Sequence, residues 1–188
     1  MDDSTDDHLL ARSVSDPSAF EPLVDRHSTA LHGYLARRAP AAADDLLSEV
    51  WLRAFAGRRA YVAARGSTRA WLFGIARNVL VQHWQQTARG AHRLTGGSSP
   101  GDPWEAVDAR LDAAAMAPRL RRSLAELPAV ERELLLLVAW EQLTPTEAAA
   151  VVGIPAGTAR SRLHRARTRL RAELSGIAIL TPLTGELS

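Results

Sequence analysis

The stretch Leu143-Thr144-Pro145-Thr146-Glu147-Ala148-Ala149-Ala150-Val151-Val152-Gly153-Ile154-Pro155-Ala156-Gly157-Thr158-Ala159-Arg160 decides how this chain is read. Thr144 with Glu147 three residues later forms a capping box: the hydroxyl accepts from an amide of the new helix, and the carboxylate reaches back to the threonine amide. Pro145 suits the first helical position, where no amide hydrogen is required. Ala148, Ala149 and Val152 give this helix a slim inner face. Gly153 can take the positive φ that ends it, and Ile154-Pro155 leads into another helix, so the pattern is a helix-turn-helix. On the second helix Ala156, Ala159, Leu163, Ala166 and Leu170 recur at intervals of three and four and form one narrow buried stripe. Thr158, Ser161 and Arg165 then lie opposite that stripe, with Arg160 and Arg162 on its flanks. Six arginines and no acid fall between Arg160 and Arg171, a one-signed field suited to a polyanion. Small hydroxyls let a helix approach base edges, and arginine forks match guanine or phosphate. A solvated helix face usually mixes both signs. This one does not, and the expectation is that DNA is read between Thr144 and Leu170.

Working outward, Pro128 opens a helix whose apolar residues run from Leu134 through Trp140 to Leu143. The unit it belongs to is expected over 118–174. Before it, Gly90, Gly96, Gly97, Ser98, Ser99, Pro100, Gly101 and Pro103 interrupt any apolar period, so residues 89–117 read as a flexible linker. A tail over 175–188 is expected to be mobile. Ahead of the linker, Asp16-Pro17 starts a helix with Phe20, Leu23, Val24, His27, Leu31 and Leu35 at helical spacing. Pro40 breaks it. A second helix, from about Ala42 to Ala56, turns Leu46, Leu47, Val50, Trp51 and Ala54 inward and Asp44, Asp45, Ser48 and Arg53 outward. A third begins at Ser67 or Thr68, with Leu72, Ile75, Ala76, Val79 and His83 as its buried stripe. The fold class is therefore all-α: two small helical domains, 1–88 and 118–174, the C-terminal one carrying the helix-turn-helix.

Composition agrees. The 188 residues are 46% hydrophobic but only 5% aromatic, which favours helices over sheets. Residues 1–50 hold ten acids against four arginines, so the two ends face different partners. Cysteine is absent, which excludes disulfides, thiolate metal sites and cysteine nucleophiles. The six histidines show no metal-ligand spacing, and neither a phosphate-binding glycine loop nor a nucleophile elbow occurs. No enzyme activity, metal or cofactor is expected. No apolar run approaches the roughly 20 residues that cross a bilayer, and the acidic N-terminus is unlike a signal peptide. The expectation is a cytoplasmic protein that does not insert into membranes. Without a heptad seam or dimer stripe, it is expected to be a monomer when free.

Five stretches occur in order: Asp16-Pro17-Ser18-Ala19-Phe20 with Asp25-Arg26-His27; Asp44-Asp45-Leu46-Leu47-Ser48-Glu49-Val50-Trp51; Arg69-Ala70-Trp71-Leu72-Phe73-Gly74-Ile75-Ala76-Arg77-Asn78; Leu127-Pro128-Ala129-Val130-Glu131-Arg132-Glu133; and Gly157 to Arg167. Together they resemble the extracytoplasmic-function group of bacterial sigma factors, the two-domain members of the sigma-70 family. The resemblance implies binding to core RNA polymerase, transport to promoters and opening of the DNA, with an anti-sigma factor as a further partner. It implies polymerase docking by Asp44, Asp45, Leu47, Ser48, Glu49 and Arg53, where the family more often has Gln at the position of Ser48. The alternative is that these acids only solubilise a helix. It implies minus-10 contacts by Arg69, Trp71, Arg77 and Asn78, and minus-35 contacts by Thr158, Arg160, Ser161, Arg162 and Arg165. Trp71, Gly74, Asn78 and Gln85 share a face where an unstacked base could be held, although Trp71 reads equally well as a core residue. The loop from Tyr61 to Ser67 departs from the family's aromatic and glycine spacing. Two rivals remain: a free-standing helix-turn-helix regulator, which leaves the first domain unexplained, and a sigma-like adaptor that binds only protein, which leaves Arg162 and Arg165 without a use.

Overall fold

The computed structural model describes residues 5–95 and 117–175. Among these residues there is no strand. The helices are α1 (Asp6–Arg12), α2 (Glu21–Ala36), α3 (Ala43–Gly57), α4 (Thr68–Thr95), α5 (Ala117–Ala125), α6 (Ala129–Ala139), α7 (Pro145–Val152) and α8 (Ala156–Ser175). Short 3-10 turns at Pro17–Phe20, Pro40–Ala42, Arg58–Ala60 and Ala63–Arg65 join the first four.

Helix α2 starts where Asp16 caps the preceding turn by accepting from the Ser18 amide. Of its expected inner face Leu23, His27, Leu31 and Leu35 are buried, with Tyr34 added, while Val24 is half-buried at the margin. On α3, Leu46, Val50 and Ala54 are buried, while Leu47 and Trp51 are half-buried at the core margin. The stripe of α4 is rotated from the expected one. Leu72, Ala76 and Val79 are buried as expected and are joined by Phe73 and Leu80, whereas Ile75 and His83 are only half-buried. The cause is that α4 packs against α3 on one side and α7 on another, so one wheel centred on a single stripe misplaces its axis. Helix α4 also continues to Thr95, so the start of the expected linker is helical; residues 96–116 of the linker lie outside the described residues, as do residues 176–188 of the expected tail.

Helix α1 had no expected counterpart. Thr5 caps it, and its buried residues are Leu9 and Leu10. Asp7 ties it to α4: one carboxylate oxygen accepts from the Thr68 amide (3.1 Å), the Thr68 hydroxyl (2.6 Å) and the Tyr61 hydroxyl (2.7 Å). Asp7 thus caps α4 from another helix. Burial raises its pKa, but the bonds from Thr68 and Tyr61 outweigh this and hold the carboxyl below its usual range. Asp6 likewise grips α2 through Arg26 (2.9 Å) and His27 (2.7 Å).

In the second unit the capping box is present, with Thr144 Oγ1 accepting from the Glu147 amide at 3.2 Å and Glu147 Oε2 accepting from the Thr144 amide at 2.9 Å. Gly153 is left-handed, φ 78° and ψ 37°. Ala159, Leu163 and Ala166 of α8 are buried, with Leu170 packed beside them. The two units are packed together. One continuous apolar cluster runs from Leu31, Leu35 and Phe73 to Leu134, Leu137 and Ala149, and buried polar contacts cross the boundary.

Candidate nucleic-acid interface

The residues expected to meet DNA fall on two surfaces of the chain, one on each unit. The first is α4 with the loop before it. Trp71, Gly74 and Asn78, three of the four residues expected to share a face, line a cavity of about 300 Å³ together with Tyr61, Val62, Gly66 and Ser67. The Tyr61 and Trp71 rings lie 5.4 Å apart at an interplanar angle of 57°, which makes an aromatic corner. Trp71 is half-buried, so one part of its indole packs on the core while another lines the cavity. Gly74 keeps the floor open, since a Cβ there would meet nothing within 4 Å. Gln85 is not on this cavity; it lines a neighbouring groove with Arg53, Asn78 and Gln82.

Sequence reasoning missed the loop residues. The Tyr61 hydroxyl has one hydrogen to give and lies 2.9 Å from the Gly66 carbonyl and 2.7 Å from Asp7, beside the turns from which Val62, Gly66 and Ser67 complete the rim. Gly66 has φ 148°, a value L-residues rarely adopt. Only the spacing Tyr61 to Gly66 hinted at this.

The arginines flanking the cavity are occupied. Arg69 donates to the Glu141 carbonyl at 2.8 Å, and Arg77 Nε lies 4.0 Å from Glu133 Oε1. Asn78 is exposed.

The second surface is α8. Arg160 and Ser161 are exposed, and Thr158 and Arg162 are half-buried. The Ser161 hydroxyl donates back to the Thr158 carbonyl at 3.0 Å. Arg165 is exposed but is not aimed straight away from the stripe as the wheel has it. Its guanidinium lies 3.7 Å from the buried Glu131, which Arg169 also approaches at 3.6 Å. Glu131 sits in the first turn of α6, which carries a helix N-terminus and so tolerates a carboxylate. The pull on Arg165 comes from a residue outside the helix-turn-helix, and no wheel of α8 alone contains it.

On α3, Asp44, Asp45 and Ser48 are exposed as expected. Glu49 and Arg53 pair with each other at 2.6 Å, and Leu47 turns half inward. The outward face continues in Leu52, 68% exposed, and Phe55, 37% exposed. Neither was expected to belong to this surface, although both follow Ser48 at helical spacing. An acidic and apolar strip on one helix suits a protein partner rather than DNA.

A helix-turn-helix with a basic second helix, joined to a helical unit that offers an aromatic cavity and an acidic docking strip, defines a DNA-binding transcription factor with a further protein-binding face. Residues 118–170 match the family model described as Sigma-70, region 4, and residues 23–90 match Sigma-70 region 2. The chain is 38% identical over 133 residues to the ECF RNA polymerase sigma factor SigC of Mycobacterium tuberculosis, covering 70% of this chain and 69% of that one. It is 29% identical over 184 residues to the ECF RNA polymerase sigma factor RpoE of Cereibacter sphaeroides, covering 92% and 97%. Among solved structures it is similar to CnrH in complex with the cytosolic domain of CnrY, with a TM-score of 0.62, 26% identity, and coverage of 92% of this chain and 99% of that one. The chain belongs to the extracytoplasmic-function sigma factors of the sigma-70 family.

Among the described residues no helix is long and apolar enough to cross a membrane, and no group of three or more histidines or acids is placed to hold a metal ion.

Proposed function

We propose that this chain is an alternative sigma factor that docks on core RNA polymerase through α3, holds an unstacked base of the minus-10 element at α4, and reads the minus-35 element with α8. It is a binding factor acting in the cytoplasm, without a catalytic site of its own, and an anti-sigma protein is its expected regulator. The observation that carries this reading is the cavity formed by Tyr61, Gly66, Trp71, Gly74 and Asn78. An aromatic corner offers a stacking surface worth about 1–3 kcal/mol per base, an amide offers edge recognition, and the glycine leaves room for the ring. On this account Asp44, Asp45, Ser48, Leu52 and Phe55 meet the polymerase, and the Glu49–Arg53 pair holds the strip's shape. Thr158, Arg160, Ser161, Arg162 and Arg165 meet the minus-35 element, with Arg165 released from Glu131 when a guanine or phosphate replaces that carboxylate.

The test is holoenzyme binding to forked DNA carrying a single-stranded minus-10 element. Gly74→Leu puts a side chain into the cavity at a position whose Cβ meets nothing within 4 Å. It should weaken binding to the fork while leaving binding to core polymerase intact. Unchanged fork affinity removes the cavity from strand capture.

A further inference from the structure

One carboxylate oxygen of α1 ties the two sides of the aromatic corner together. Asp7 Oδ1 lies 2.7 Å from the Tyr61 hydroxyl, and it accepts from the Thr68 hydroxyl at 2.6 Å and the Thr68 amide at 3.1 Å. Thr68 opens α4 and stands one turn before Trp71. The oxygen therefore registers Tyr61 against the turn from which Trp71 projects, where the two rings meet at 5.4 Å and 57°. Tyr61 has a second acceptor, the Gly66 carbonyl at 2.9 Å, but Gly66 belongs to the same loop, and a bond to it closes the loop on itself without tying it to a helix. Asp7 is the anchor outside the loop. Its own helix is held by Leu9 and Leu10, both 0% exposed, and by Asp6 with Arg26 at 2.9 Å and His27 at 2.7 Å. Burial, with Asp7 adding to it, pushes the Tyr61 hydroxyl up to about 12, so at ordinary pH it keeps the proton that it gives.

We infer that Asp7 is a positioning residue for promoter-strand capture: from α1 it fixes the Tyr61 ring against Trp71 before DNA arrives, so that an incoming base meets a stacking surface already formed. This inference rests on the reading of α4 as the strand-holding helix, and it adds a residue that does not itself line the cavity. A carboxylate facing DNA would repel phosphate. Placed behind the tyrosine, with its charge engaged by hydrogen-bond donors, it suits a residue that acts through another. Stacking depends on where the ring is held, and a contacting side chain needs neighbours that lock its rotamer. A side chain fixed in advance also loses less freedom on binding, and ordering one that is free costs about two- to tenfold in affinity. The two adjacent carboxylates thus differ in role: Asp6 secures α1 on α2, and Asp7 secures the corner.

The test uses holoenzyme made with the full chain and forked DNA whose single-stranded minus-10 element is intact or carries one abasic nucleotide, stepped along the strand. With the unsubstituted chain, one abasic position should lower affinity and so mark the captured base. Asp7→Ala should weaken binding to the intact fork about two- to tenfold and leave binding to the fork abasic at that position nearly unchanged. Asp6→Ala, which loosens α1 at its other tether, should lower the melting temperature without this selective loss. In a Tyr61→Phe background, where the ring remains and the hydroxyl is gone, Asp7→Ala should add little. Equal loss on intact and abasic forks overturns the inference, as do the same selective loss with Asp6→Ala and additive losses from Asp7→Ala and Tyr61→Phe. Each of these leaves Asp7 as a cap of α4 and nothing more. Should Asp7→Ala fail to fold, Asp7→Asn decides: its neutral oxygen accepts more weakly, so a smaller selective loss is expected, and none overturns the inference. Gly74→Leu keeps the two readings apart. A selective loss with Gly74→Leu and none with Asp7→Ala refutes the positioning role alone, whereas no loss with either refutes the cavity and the positioning role together.

Discussion

Gly153 and Gly157 flank the turn between α7 and α8, and the same substitution should act differently at the two. Gly153 has φ 78° and ψ 37°, and an ideal Cβ there meets nothing within 4 Å. Alanine therefore meets no neighbour, and its penalty is that of an L-residue in the left-handed region, about 1–2 kcal/mol. Gly157 lies in the first turn of α8 at ordinary helical backbone, and its Cβ also meets nothing within 4 Å. There alanine is favoured over glycine by up to about 1 kcal/mol. The loss of freedom in the unfolded chain is common to both variants and cancels in their difference. That difference is then about 1–2 kcal/mol, or roughly 2–8 °C in melting temperature for a chain of this size unfolding as one unit. Thermal denaturation followed by circular dichroism measures it directly. Gly153→Ala should melt below the unsubstituted chain and Gly157→Ala at or above it. Coincident melting of the two variants would refute the left-handed turn as the element that sets the angle between the helices.

Further predictions concern the caps, the docking strip and pH. Thr144→Ala removes one half of the capping box and should cost about 1 kcal/mol of stability, read as a lower denaturant midpoint. Asp45→Arg with Leu52→Glu should abolish capture of core polymerase in a pull-down while leaving the melting curve nearly unchanged, because both positions are exposed; capture at the original level would remove α3 from that interface. Burial pushes Glu133 above 4.5 in spite of Arg38, Arg77 and Tyr34, with Glu141 adding to the rise. Its contribution to stability is therefore full below 4.5 and is lost as pH climbs through the raised value. Melting temperature should decline over that window, and Glu133→Gln should flatten the decline. Asp7 behaves oppositely: its carboxyl is held below 3.8, so its support for α4 is present above that value and is lost as pH falls through the lowered one. Asp7→Asn should blunt the acid-side drop in melting temperature.

What could be read from the sequence was what neighbouring residues decide between themselves. Thr144 and Glu147 cap each other, Gly153 ends a helix, and Ala159, Leu163 and Ala166 define a stripe, all within one or two turns. The features that escaped are those set by distant partners. Helix α1 is too short to stand alone; Asp7 anchors it to Thr68 and Tyr61, far along the chain. Arg165 turns toward Glu131, which belongs to another helix. The buried stripe of α4 takes in Phe73, whose ring meets that of Tyr34 on α2 at 5.5 Å, a partner that no wheel of α4 alone contains. Tyr34 and Glu133, 99 positions apart, carry no mutual signal in a single sequence. The exposed pair Leu52 and Phe55 follows Ser48 at helical spacing, but how far each is left open to solvent depends on packing with other helices.

The central claim, that this chain directs RNA polymerase to promoters, is tested most directly by run-off transcription from genomic fragments with core polymerase, with and without the protein. The account predicts discrete transcripts that appear only when the protein is added and that are lost with Gly74→Leu. Core polymerase that remains fully active with another sigma factor, yet yields no promoter-specific transcript from any fragment with this protein, would contradict it.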